Sequence, residues 1–139
     1  MFQLILHILG YDMWFYLSHI MLHSKLLWKY HKIHHEKQNP VWTDTYHGHW
    51  SEGFFQSIGF FVPFAFGYSV VSWQAVAAFC FCQLRGLMRH DARTVWLIGN
   101  HHLLHHLHPR YNYGEYWLDK LFHTHWSVSE DVQKGLVYV

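Results

Sequence analysis

"MFQLILHILGYDMWFYLSHIMLH", residues 1–23, decides how this chain is read. Residues 2–22 are almost continuously apolar and contain no proline, so as a helix they extend about 30 Å, enough to cross the hydrocarbon core of a bilayer. The stretch lacks the basic start and small-residue cleavage site of a signal peptide, and it reads as a mature segment. Lys25, Lys29, Lys32 and Lys37 follow at once and predict that this end of the helix is cytoplasmic. Pro40 ends whatever helix carries "KYHKIHHEK". The next stretch, "NPVWTDTYHGHWSEG", reads as a connection at the membrane surface, with Trp42, Tyr46 and Trp50 suited to the interface.

A second apolar block runs from Phe54 to Met88, with a turn-like centre at "FGYS", residues 66–69. It predicts two tilted or shallow helices that enter and return, with both ends on one face. Arg85, Arg89 and Arg93 at its exit mark the same side as the lysines. Composition agrees with a membrane protein of one domain over residues 1–139: 51% of residues are hydrophobic, 20% aromatic and only 14% charged, against about 25% charged in soluble proteins. The mean hydropathy of −0.07 looks soluble because sixteen histidines pull it down. A net charge of +1, with no basic patch interleaved with aromatics, excludes nucleic acid as a partner. Cys80 and Cys82 stand two apart in "VAAFCFCQL" and point about 200° from each other on a helix, so they read as small core residues rather than a disulfide or metal pair.

The histidines carry the chemistry. His19 and His23 are four apart; His31, His34 and His35 fall at i, i+3 and i+4; His102, His105 and His106 repeat that pattern. Each set shares one helical face, the way a helix presents several imidazoles to one metal. His49 and His90 stand at the two ends of the apolar hairpin, so all ten meet at the cytoplasmic mouth of one bundle. Ten imidazoles exceed the four ligands of a structural zinc and suit two metals with about five nitrogens each and an open position for oxygen or water. Asp12 lies two turns before His19 and is expected to orient an imidazole through its other nitrogen; Asp91 and Glu36 are weaker candidates of the same kind. His7, His47, His101, His108, His123 and His125 fall outside these sets and are expected to play supporting or surface roles.

The segments "DMWFYLSHIMLH", "HKIHHE", "HGHWSEGFFQS", "MRHD" and "HHLLHHLHPRYNYGEYWLDKLFHT" resemble, in order, those of the fatty acid hydroxylase and sterol desaturase superfamily of membrane di-iron enzymes. Its boxes HxxxH, HxxHH and HxxHH correspond to the three sets above, its single histidine before an acidic-Gly-Phe stretch to His49, and that of its His-Asp pair to His90. "YNYG" is most similar to sterol desaturases. Ile20 stands where an arginine commonly follows the first box histidine, and the segment before the first box is short for the family.

The resemblance implies an all-α integral membrane bundle whose cytosolic histidine-rich cap holds two iron ions, with zinc able to take their place on purification. It implies oxygen-dependent hydroxylation or desaturation of a lipid, sterol or fatty acyl, with electrons from a cytochrome b5-type or ferredoxin-type donor. The membrane is the endoplasmic reticulum in a eukaryote or the inner membrane in a bacterium, and a homo-oligomer is compatible with the pattern. No flavin, nicotinamide or haem fingerprint occurs in the chain, so a partner must supply the electrons. Lys25, Lys29, Lys32 and Lys37 would steer an acidic donor or simply flank the membrane. A non-catalytic metal-binding membrane protein and a pseudoenzyme subunit of the same fold are the alternatives the residues leave open.

Overall fold

A computed structural model describes residues 1–69 and 71–139, so Val70 in the second apolar block lies outside the described residues. These residues are helical, with no strand among them. Helix α1 (Phe2–Leu22) is followed by the single turn α2 (Trp28–His31) and by 3-10 helices at His34–Glu36 and Trp42–Tyr46. Then come α3 (Trp50–Ser57), which runs on into a 3-10 helix at Ile58–Phe66, and α4 (Trp73–Arg89). A 3-10 turn at Ala92–Thr94, α5 (Val95–Ile98), α6 (His101–Leu107) and α7 (Tyr116–Leu121) follow, and residues 122–139 carry no helix.

The first helix forms over the predicted span, and α3, the 3-10 helix, α4 and α2 pack around it. Gly10 on α1 and Gly59 on the 3-10 helix make the closest approach: a Cβ at Gly10 would meet the Gly59 carbonyl oxygen at 2.8 Å. The hairpin turn falls at the expected place. Gly67 sits at φ +80 there, a left-handed conformation that costs a residue without Cβ nothing. Ser72 then caps α4 by accepting the Ala75 amide at 3.2 Å.

One expectation changes. No helix among the described residues is long and apolar enough to cross a membrane. The reason lies in α1 itself: His7, Asp12, Ser18 and His19 are interspersed through the helix and all turn inward, where they are buried. Its opposite face carries an exposed apolar stripe of Phe2, Ile5, Leu9, Met13, Leu17 and Met21. The core is therefore more polar than apolar, and it is held by paired charges. Arg85 of α4 grips the Asp12 carboxylate and lies 3.2 Å from Glu115, which also pairs with Arg89. All four residues are buried, so removing one charge strands another in low dielectric. Asp12 thus joins α1 to α4; it does not orient an imidazole, as the sequence had suggested.

Candidate metal centre

The structure brings nine of the ten predicted histidines into two adjacent groups. His19, His23, His31, His35 and His105 form one; His34, His90, His102 and His106 form the other, with the ligand atoms of each group within 4.8 Å of one another. The groups adjoin: the His31 and His34 rings stack at 5.4 Å between centroids, and the His102 and His105 rings do so at 5.4 Å. This makes five and four nitrogens rather than five and five. His49 stands outside both. It begins α3, its Nδ1 lies 2.7 Å from the Ser51 hydroxyl, and its ring packs on Tyr30 and Trp50.

Local folding explains the sorting. Box three lies on one helix, α6, but box two does not: α2 ends at His31, and His34 and His35 open a 3-10 turn. In each box the i, i+4 pair enters one group and the i+3 residue the other. His31 and His35 thus go with His105, and His102 and His106 go with His34. Adjacent residues diverge by about 100° on an α-helix and about 120° on a 3-10 helix, so His105 and His106, like His34 and His35, aim at different centres.

The outer nitrogen of most rings is tied down. In the first group His19 Nδ1 donates to the Tyr113 carbonyl at 2.5 Å, His105 Nδ1 to the Tyr111 carbonyl at 2.6 Å, and His31 Nδ1 to Glu52 Oε2 at 2.5 Å. In the second, His34, His90 and His106 Nδ1 donate to the carbonyls of His47, Gly86 and Lys37 at 2.9, 2.8 and 2.9 Å. A neutral ring that donates from Nδ1 presents only a lone pair at Nε2. Yet His34 and His90, both donating from Nδ1 and both pushed well down, bring their Nε2 atoms to 3.1 Å, and the Nε2 atoms of His19 and His31 stand a similar 2.9 Å apart. Facing lone pairs repel unless a cation lies between them. Neighbouring nitrogens bound to one ion at about 2.1 Å stand about 3 Å apart, which matches. His106 Nε2 is buried with no hydrogen-bond partner among the described residues, a buried acceptor that a metal bond would satisfy. The donor set fits a metal in each group.

Burial, and then the neighbouring imidazoles, favour the neutral form at His19, His23, His34, His35, His90, His102, His105 and His106. His34 is pushed down to about 4 and His106 to about 3. His35, His90, His102 and His105 also lie well below the ordinary histidine value, burial again being the largest cause. Neutral imidazole is the form that binds metal.

A cavity of about 310 Å³ opens onto both groups, touching His19 and His31 of the first and His34, His90 and His102 of the second. Tyr11, Phe15 and Trp50 give it aromatic walls, and Gln56 and Gln83 add polar groups.

Two carboxylates that matter escaped the sequence reading. Glu52 bonds His31 with one oxygen and takes the His49 amide at 3.0 Å with the other, so it caps α3 and aims a ligand together. The H-x-x-E spacing of a capping box, with histidine in place of serine, was its signal. Asp119 is fully buried and bonds His101 Nε2 at 3.1 Å. The weaker candidates have other partners: Asp91 holds Arg93, and Glu36 pairs with His47 at the surface.

Comparison with known proteins identifies the family. The fatty acid hydroxylase family model matches residues 4–124. The chain is 34% identical over 125 residues to a Delta(7)-sterol 5(6)-desaturase of Gibberella zeae, covering 84% of this chain and 35% of the relative. It is 28% identical over 129 residues to methylsterol monooxygenase 1 of Rattus norvegicus, covering 81% of this chain and 43% of that protein. The chain thus spans less than half the length of either relative. No solved structure matches it.

Proposed function

The chain belongs to the fatty acid hydroxylase family, and from that premise we propose that it holds two iron ions and oxidises a lipid, by hydroxylation or desaturation, with dioxygen and an external electron donor. The observation that carries this is the pair of imidazole groups whose ring nitrogens converge across about 3 Å beneath one shared cavity. Five and four nitrogens leave positions open, which suits a redox metal rather than a closed structural zinc. Iron bound there would supply the oxygen activation. The protein's part is to aim nine rings at two centres and to offer an aromatic-walled cavity of about 310 Å³, within the usual range for small-molecule sites. The two relatives are named for sterol chemistry, so a sterol is the first substrate to try.

Attachment to a membrane rests on the apolar stripe of α1 and on exposed Phe61, Phe64, Phe66 and Trp73, a patch larger than isolated surface residues make. The exposed Lys25, Lys29, Lys32 and Lys37 beside the first two boxes offer a cytosolic landing site for an acidic cytochrome b5-type or ferredoxin-type donor. Expression with a reductase system, metal analysis and untargeted lipid mass spectrometry test the reading, with His105→Ala and His106→Ala variants as controls. Two irons per chain and a lipid that gains one oxygen or loses two hydrogens are expected. Protein that binds no metal and alters no lipid overturns it.

A further inference from the structure

The loop "YNYG", residues 111–114, holds no ligand, but its carbonyls at Tyr111 and Tyr113 fix His105 and His19, both in the five-imidazole group. Its shape is in turn set by one side chain of α7. Asp119 Oδ1 accepts the Tyr113 amide at 2.8 Å and the Thr124 hydroxyl at 2.7 Å; Oδ2 accepts the Gly114 amide at 2.8 Å and His101 Nε2 at 3.1 Å. Four donors saturate an ionised carboxylate. An amide of the same shape has one acceptor atom, so whichever way it turns, its NH2 faces two donors. Asn112, left-handed at φ 59, closes the loop from the other side through the His101 carbonyl at 2.9 Å and the Trp126 amide at 2.7 Å. The Thr124 hydroxyl also meets the Tyr16 hydroxyl at 3.0 Å, one turn before His19 on α1. The carbonyls that fix the four-imidazole group belong to His47, Gly86 and Lys37, none of them in this loop.

We propose that Asp119 is a positioning residue for one metal centre only: through the Tyr111 and Tyr113 carbonyls it sets the tautomer and aim of His105 and His19, and leaves the four-imidazole group alone. This rests on the metal reading above. The test is retention of cobalt(II) by the full chain against graded chelator. Wild-type protein keeps two ions. In Asp119→Asn one ion leaves at about 10–100-fold lower chelator, the usual cost of losing a ligand's outer partner, and the other leaves where it does in wild type. Adding His90→Ala then removes the remaining ion, whereas adding His105→Ala does not. Thr124→Val, which deletes one of the four donors, shifts the same step by less and serves if Asp119→Asn does not fold. Both ions weakened alike, or neither, in whichever variant folds overturns the assignment. Wild-type protein that keeps fewer than two ions overturns instead the reading of the site on which it rests.

Discussion

In the five-imidazole group, box two gives the i, i+4 pair His31 and His35 and box three the single His105; in the four-imidazole group box three gives the pair His102 and His106 and box two the single His34. Each HxxHH box therefore reaches both centres, and a shift of either segment disturbs both. What separates them is support. The larger group leans on a carboxylate, Glu52, and on a loop pinned by Asp119. The smaller one uses backbone carbonyls alone. One centre is thus set by side chains that substitution can remove. The other is set by the path of the chain.

That contrast predicts unequal effects. His34→Ala leaves three nitrogens in the smaller group and His105→Ala leaves four in the larger, so the first should lose its ion more completely. A loss of retention beyond about 100-fold is expected for His34→Ala, since deleting a ligand exceeds the cost of deleting its partner; equal losses would break the comparison. Arg85→Met acts on both centres together, because the Asp12 to Arg85 contact joins the helices that carry His19 and His90. Stranding Asp12 should cost about 3–5 kcal/mol in chemical denaturation, and Asp12→Leu on top of it should restore much of the loss. Glu52→Gln turns one amide face to donors and should weaken only the five-imidazole group, by about 10–100-fold in chelator competition.

The three boxes were legible because helical spacing is a local property: i, i+3 and i+4 follow from 3.6 residues per turn. The extent of α1 and the turn at Gly67 were legible for the same reason. The partition of the boxes was not, because it depends on where α2 gives way to a 3-10 turn and on how α6 lies across it. His49 was grouped with the ligands from its place at one end of the apolar hairpin, and the structure gives the contact with His31 to Glu52, three residues on, instead. Asp12 shows the opposite error. Its spacing from His19 was right for a shared face, but Arg85, 73 residues away in sequence, reaches it first. The hydropathy of residues 2–22 also concealed how the polar residues of the helix would gather on its inner side.

The smallest effect concerns protons. In metal-free protein His34 is held near 4 and His106 near 3, against an ordinary value of 6.5. Between these values the unfolded chain binds more protons than the folded one, so stability is fully present above about pH 6.5 and is lost as pH falls toward 3. Each such histidine contributes up to about 1.4 kcal/mol per pH unit. Denaturation of metal-free protein from pH 7.5 to 4 should show this decline, and His34→Gln should flatten it by one proton between pH 6.5 and 4. A variant as steep as the parent would mean that His34 is not buried as a neutral ring. Bound metal opposes the same protons, so the loaded protein should keep its stability further into acid and then lose it together with its ions. The stripped and loaded curves therefore separate what burying the imidazoles costs from what the ions return.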